Sequence, residues 1–101
     1  MIKRYGLRLV TSCVQRGMDF LDEECPGWEE VMDPKILDIS CGQNCVIGQI
    51  FGDYGVGIRT LDINAENAPG LGFESTRKVT YKNLNICWKK QIKNRLAALA
   101  S

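Results

Sequence analysis

The hydrophobic positions of this chain repeat mainly at helical spacing. The most apolar stretch lies near the middle and has five such positions at offsets 0, 1, 4, 5 and 8: Val46, Ile47, Ile50, Phe51 and Tyr54. This spacing is one face of a helix with about 3.6 residues per turn. Ser40 and Gln43 just before it have the spacing of a capping box. We therefore predict a short, buried central helix, with Gly48 where a neighbouring element comes close.

The N-terminal part of the chain predicts a longer helix. Residues 1–10 alternate loosely and fit a strand or the start of a helix equally well. Ser12 and Gln15 then have capping-box spacing, and the apolar stripe that follows predicts a helix over residues 12–24. Two short segments that begin with a proline predict helical pieces between this helix and the central one.

The C-terminal part predicts a second long helix, over residues 76–98, with Ser75 or Thr76 as its cap. Its apolar residues are spaced 3, 4, 4, 4 and 3 apart: Tyr81, Leu84, Trp88, Ile92, Leu96 and Leu99. The region before it, 52–74, is rich in glycine and predicts a connecting loop, with at most one helical turn near residues 64–67.

These elements predict an all-α fold in a single small domain, residues 1–101, with about four helices around a short buried one. A chain of this length can form one core but not two lobes. No alternating segment is long enough to favour a sheet. The predicted core is formed by eight apolar residues: Val14, Leu21, Trp28, Val46, Ile50, Leu84, Trp88 and Ile92.

The residue types present exclude several kinds of catalytic site. There is no histidine, so Ser-His-Asp sites, Cys-His sites and imidazole metal ligands are excluded. The five cysteines are scattered, and the favoured interpretation is that most are buried thiols. Cys41 and Cys45, in a C-x3-C spacing, are lower-ranked candidates for a zinc site or for a redox-sensitive thiol at a helix N-terminus. We expect no enzymatic activity and no cofactor.

Charge is unevenly distributed along the chain. Residues 19–38 contain eight acids and one base, whereas residues 75–101 contain seven bases and no acid. Either the basic helix lies against the acidic segment within the fold, or each is a surface for a partner. The candidate protein-binding patch is acidic: Asp19, Asp22, Glu23, Glu29 and Glu30. The alternative nucleic-acid-binding surface is basic: Lys78, Lys82, Lys89, Lys90 and Lys93.

Location and self-association follow from the same patterns. No apolar run approaches the roughly 18–20 residues of a membrane span, and no export signal is apparent. We therefore expect a cytoplasmic protein that does not insert into membranes.

The stripe of the Trp88 helix is either the interface of a homodimer or is buried within a monomer.

Several sequence blocks together resemble a family of small proteins encoded by actinobacterial phages. The most specific block is Cys-Val-Ile-Gly-Gln-Ile-Phe-Gly-Asp-Tyr, residues 45–54. The others are Phe-Leu-Asp-Glu with Pro-Gly-Trp (20–28), Ile-Leu-Asp-Ile-Ser (36–40), Leu-Gly-Phe (71–73), and Tyr81, Leu84 and Trp88. The likeness covers residues 17–92. The chain departs from the family in its C-x3-C spacing and in its C-terminus, which is rich in lysine and asparagine.

The resemblance implies a phage context but no chemistry, because the family has no assigned activity. The resulting hypothesis is a non-enzymatic phage-type accessory protein that binds a host macromolecule, for instance to inhibit a host defence or regulatory complex. The acting compartment would then be the host cytoplasm, with a host protein as the partner. The alternatives are a small nucleic-acid-binding protein and a metal- or redox-responsive structural protein.

Overall fold

The computed structural model describes residues 4–100, and these residues contain four α-helices, two 3-10 turns and no strand. The elements in chain order are α1 (Arg4–Glu24), a 3-10 turn (Trp28–Val31), α2 (Val46–Phe51), α3 (Tyr54–Thr60), a 3-10 turn (Pro69–Leu71) and α4 (Tyr81–Ala100). The predicted all-α domain with a short central helix and a long C-terminal helix is confirmed.

Helix α1 begins well before the residue that the sequence pattern indicated. Ser12 lies inside the helix and is exposed, so the predicted capping box with Gln15 is wrong. The apolar stripe continues in the N-terminal direction, because Val10 is buried on the same side as Val14, one turn away. Of the lead-in over residues 1–10, residues 1–3 lie outside the described part of the chain.

The central helix is shorter than its stripe suggests. Gly52 has a φ of 87°, which is the left-handed conformation that ends α2 after Phe51. The N-cap is Cys45, whose sulfur accepts a hydrogen bond from the backbone N–H of Gly48, so the predicted capping box at Ser40 is wrong. A methyl group on Gly48 would lie 2.2 Å from the carbonyl oxygen of Gly42, which confirms the predicted close approach at Gly48.

Helix α3 lies inside the region predicted to be a glycine-rich loop, so that prediction is wrong for residues 54–60. Asp53 caps the helix by accepting a hydrogen bond from the backbone N–H of Val56. Gly57 is buried where α3 meets α2, and a Cβ there would lie 2.2 Å from Ile47. Here glycine allows two helices to pack closely, and does not mark a loop.

Helix α4 starts later than predicted, and neither Ser75 nor Thr76 caps it. Thr80 is the cap, because its hydroxyl accepts a hydrogen bond from the backbone N–H of Asn83. The hydroxyl of Thr76 instead accepts from the backbone N–H of Val79, in a turn that buries Val79.

Trp88 lies at the centre of the core, where α1 and α4 pack together. The indole of Trp28 meets it edge-on, with ring centroids 6.1 Å apart, and Phe73 stacks on it at 5.8 Å. The indole N–H of Trp88 donates to the Gly72 carbonyl oxygen at 2.7 Å. Of the eight predicted core residues, seven are buried and Ile50 is half-buried.

The apolar stripe of α4 packs within its own chain. Leu84, Trp88 and Ile92 have no exposed surface, so this stripe is not free to form a homodimer interface. Tyr81 and Leu99, at the two ends of the stripe, are exposed. Among residues 4–100, no helix combines the length and the apolar character that crossing a bilayer requires.

Candidate binding surfaces

Arg95 joins the basic C-terminal helix to the acidic segment. Its guanidinium makes a two-point contact with Asp22, at 2.6 Å and 3.0 Å, and a third with Glu29 at 3.2 Å. It also lies over the ring of Trp28, 5.7 Å from the ring centroid. Two members of the predicted acidic patch are therefore bound to α4 of the same chain. For these residues, the basic helix does lie against the acidic segment within the fold.

The carboxylate of Asp22 is stabilised in its ionised form. The hydrogen bond from Arg95 is the main cause that lowers its pKa, and the indole N–H of Trp28, which donates to the same carboxylate at 3.0 Å, adds to the effect. This hydrogen bond joins Asp22 of α1 to Trp28, a buried side chain of the core. Asp22, one member of the predicted acidic patch, therefore stabilises the fold.

The other acids of α1 border an open groove. Two adjoining clefts, of about 550 Å³ and 390 Å³, share Arg16, Phe20 and Leu71. We call the two together the α1 groove, which is lined chiefly by Arg16, Asp19, Phe20, Asp22, Glu23, Glu66 and Leu71. Phe20 and Leu71 are half-buried and form its apolar floor, while the exposed side chains of Asp19, Glu23 and Glu66 form its rim.

Three hydrogen bonds position the polar side chains of the α1 groove. Arg16 donates to the carbonyl oxygen of Gly70 at 3.0 Å and to the sulfur of Cys13 at 3.6 Å, so its guanidinium is held against the wall. The amide of Gln15 donates to Asp19 at 2.9 Å. Glu30, the last member of the predicted acidic patch, is exposed on the first 3-10 turn and does not line either cleft.

Four of the five predicted basic residues share the outer face of α4. At about 100° per residue, their positions fall within an arc of about 100° opposite the buried side of the helix. We call this the α4 lysine face: Lys82, Lys89, Lys90 and Lys93, with Ile86 among them. Ile86 is 59% exposed. Lys78 lies outside this face, on the segment before the helix, and α4 contains no acid to offset the lysines.

The thiol of Cys45 serves the fold. It accepts from the backbone N–H of Gly48 at 3.2 Å and donates to the Gly42 carbonyl oxygen at 3.7 Å. Burial raises the pKa of this thiol and outweighs the hydrogen bond from Gly48, so the predicted activation by a helix N-terminus is wrong for Cys45. Within residues 4–100, no three potential metal ligands cluster, so Cys41 and Cys45 have no third ligand beside them.

A second, smaller cleft lies between the start of α3 and the start of α4. It has a volume of about 110 Å³. We call it the tyrosine cleft, and its main lining residues are Ser40, Cys45, Tyr54, Phe73, Glu74 and Tyr81. The hydroxyl of Tyr54 donates to the carboxylate of Glu74. Burial is the main cause that raises the pKa of Tyr54, and the hydrogen bond and the charge of Glu74 raise it further.

Comparisons of the chain with protein-family models, curated proteins and solved structures found no match. The function must therefore be inferred from these surfaces. Sequence patterns did not indicate the tyrosine cleft, because Tyr54 and Glu74 are 20 positions apart in a region that predicted a loop. The floor formed by Phe20 and Leu71 was missed for the same reason, since Leu71 is the last residue of the second 3-10 turn and belongs to no periodic stripe.

Proposed function

We propose that this is a non-enzymatic accessory protein of phage type that binds a host protein through the α1 groove. The observation that carries the proposal is the combination in that groove of an apolar floor, Phe20 and Leu71, with a carboxylate rim. Protein interfaces typically have an apolar centre with charged groups around it. A small protein that blocks a host complex by occupying its surface needs this combination and no catalytic group.

The charges that remain free in the groove indicate the chemistry of the partner. Asp22 is already paired with Arg95, whereas Arg16 donates to a neutral carbonyl oxygen and a thiol and therefore keeps its positive charge. Three carboxylates, Asp19, Glu23 and Glu66, outnumber this one positive charge, and the net negative charge favours a basic partner segment that carries an apolar side chain for the floor. The same charge disfavours a nucleic-acid backbone in this groove.

The experiment is an affinity capture from host lysate with three forms of the tagged protein, each run with and without nuclease. The first is the wild type, and the second carries Asp19→Lys and Glu23→Lys on the groove rim. The matched control carries Glu24→Lys and Glu30→Lys, which change the charge equally at exposed acids outside the two clefts. Circular dichroism verifies that all three forms are folded.

We expect the wild type and the control to retain one host protein in near-equal amount, with or without nuclease. The groove variant should lose it, because two repulsive charges replace two attractive ones. Equal retention by the groove variant would show that the partner does not bind in the α1 groove. Recovery that disappears with nuclease would transfer the proposal to nucleic acid.

The α4 lysine face supports nucleic-acid binding as the second candidate function. Its four lysines extend over about 17 Å of helix and can displace several counterions from a phosphate backbone. Replacing Lys89, Lys90 and Lys93 with glutamine should weaken duplex binding and lower the slope of log affinity against log salt by about 0.9 for each phosphate that is no longer neutralised. Lys35→Gln, at an exposed position outside α4, is the control. An unchanged affinity and slope would rule this candidate out.

A further inference from the structure

We propose that the tyrosine cleft binds an organic cation, an alkylammonium or guanidinium group of the size found at the end of a lysine or arginine side chain. The proposal does not depend on the α1 groove or on the partner that the groove binds. It derives from a carboxylate and three aromatic rings that the fold brings to one small cleft: Glu74, Tyr54, Phe73 and Tyr81.

Glu74 supplies the negative charge. It accepts a hydrogen bond from Tyr54, and burial and the nearby carboxylate keep the phenol of Tyr54 protonated as its donor. Among residues 8–100, whose side chains the structure describes, none of the ion pairs within 4 Å includes Glu74. Within these residues, the charge of Glu74 therefore has no cationic partner.

The aromatic side chains add attraction for a cation and fix the shape of the cleft. Aromatic rings attract ammonium and guanidinium groups through their negative faces, and pockets lined by several rings bind such groups selectively. Phe73 is held by its stacking on Trp88, at a ring-centroid distance of 5.8 Å, and Tyr54 by its hydrogen bond to Glu74. The backbone N–H of Tyr54 also donates to Gly42, at 2.8 Å. The lining is thus ordered before a ligand arrives.

The size and the ligand set distinguish an organic cation from other ligands. A cleft of about 110 Å³ accommodates an ammonium or guanidinium head group, but it is smaller than the roughly 300 Å³ or more of sites for drug-sized molecules. A calcium ion needs six to eight oxygen ligands, and a magnesium ion needs octahedral coordination. The described residues bring no three metal-ligating side chains together here, so a single carboxylate beside aromatic rings fits an organic cation better.

The cation has two sources with the same chemistry, a free amine or a basic side chain of another protein. The test is a titration of the ¹⁵N-labelled protein followed by NMR, with methylammonium, guanidinium and a short peptide containing one lysine. Sodium chloride at equal ionic strength, neutral methanol and the same peptide with norleucine in place of lysine are the controls. Tighter binding of the lysine peptide than of methylammonium identifies a side chain as the source, and the reverse order identifies a free amine.

We expect saturable shifts of the backbone amides of Tyr54, Glu74 and Tyr81 with the cations and none with the neutral controls. Glu74→Gln should weaken binding at least tenfold, and Tyr81→Leu severalfold, since the first removes the charge and the second one ring. Glu24→Gln, at an exposed acid that lines none of the clefts, should leave the affinity unchanged. Shifts that do not saturate in the wild type, or an affinity unaffected by both Glu74→Gln and Tyr81→Leu, would overturn the proposal.

Discussion

Arg95 illustrates how one long side chain can connect three separate parts of a small fold. Its stem projects from α4, and its guanidinium reaches Asp22 near the end of α1 and Glu29 on the first 3-10 turn. The guanidinium also covers the ring of Trp28, which packs edge-on against Trp88. Because lysine offers neither a planar fork nor a flat surface for stacking, this position requires arginine.

Arg95→Ala should lower the free energy of unfolding by about 1–2 kcal/mol, through the loss of a partly exposed two-point ion pair and of the cover over Trp28. Urea unfolding followed by tryptophan fluorescence measures the effect. Lys93→Ala, two residues earlier on the exposed side of the same helix, is the control and should change the stability by less than about 0.5 kcal/mol. Equal effects of the two substitutions would show that the guanidinium contacts contribute nothing.

Asp22 predicts a loss of stability in acid. Its pKa in the folded state lies below the ordinary value of 3.8, so its contribution is fully present above that value and is lost as the pH falls through the folded pKa. The side chain is 41% exposed, which limits the contribution to about 1 kcal/mol or less. Asp22→Asn keeps an acceptor for Trp28 but removes the charge.

The measurement is urea unfolding of the wild type and Asp22→Asn at several pH values between 7 and about 2. The difference in stability should be constant near neutrality and should shrink below about pH 4. In an Arg95→Ala background the two proteins should show a much smaller difference at every pH. A difference that stays constant down to about pH 2 would contradict the assignment.

At the scale of elements, α1 and the second 3-10 turn pack with almost no space between them. A Cβ on Gly17 would lie 2.1 Å from the carbonyl oxygen of Leu71 and 2.9 Å from the ring of Trp88, whereas a Cβ on Gly70 would meet nothing within 4 Å. Gly17→Ala should therefore destabilise the protein by about 1–3 kcal/mol, despite the higher helix propensity of alanine.

The matched control for Gly17→Ala is Gly70→Ala, which adds the same methyl group on the other side of this contact and should be close to neutral. Thermal unfolding of the two variants measures the difference. A neutral Gly17→Ala would mean that the two elements can separate at little cost. The α1 groove would then also be more easily deformed, because Leu71 forms part of its floor.

The sequence predicted the elements whose apolar stripes are long, and it misplaced their ends. Helical spacing identified α1, α2 and α4, because burial of one face determines this pattern. The capping pairs at Ser12 and Ser40 have the right local spacing. The apolar stripe of α1, however, continues on the N-terminal side of Ser12, so the helix begins before this residue and Ser12 lies exposed within it. Helix α3 was missed because glycine is typical of loops in a sequence. The reason for glycine at position 57 is the close packing of α3 on α2, which the sequence does not show.

Of the candidate surfaces, the sequence predicted those whose residues lie on one helix, and missed those that need contacts between distant segments. A helical wheel places the lysines of α4 on one face, since the residues are close in sequence. The pairing of Arg95 with Asp22 joins residues 73 positions apart and depends on how α4 crosses α1. The same holds for Leu71 in the α1 groove and for Glu74 in the tyrosine cleft, because contacts between distant segments leave no periodic signal.

At the scale of the molecule, one core holds together all the elements that bear the candidate surfaces. The radius of gyration of 12.7 Å is close to the roughly 13 Å typical of a folded chain of 100 residues. The core contains side chains from α1, α2 and α4, and from the two segments that connect them, residues 25–45 and 61–80. They meet around Trp88 and Ile47, neither of which has exposed surface. We therefore expect the domain to unfold as one cooperative unit.

The buried cysteines test that cooperativity. Cys13 and Cys45 are 5% and 3% exposed and belong to different parts of the core. A thiol reagent can therefore reach them only when the core opens. If the domain opens as one unit, both should react on the order of 10³-fold more slowly than in the unfolded chain, or slower still, as expected for a stability of at least about 5 kcal/mol. Their rates should also rise together with urea. Cys41, which is half-buried, should react faster and depend less on urea.

Mass spectrometry of the alkylated protein over time gives the rate for each of these cysteines separately. A Cys45 rate that equals the Cys41 rate, while Cys13 stays protected, would show that the segment around α2 opens independently of α1 and α4. In that case the tyrosine cleft, which Cys45 helps to line, would belong to the less stable part of the molecule. Matching rates for Cys13 and Cys45 would instead establish that the cleft and the α1 groove lie on one cooperative structure.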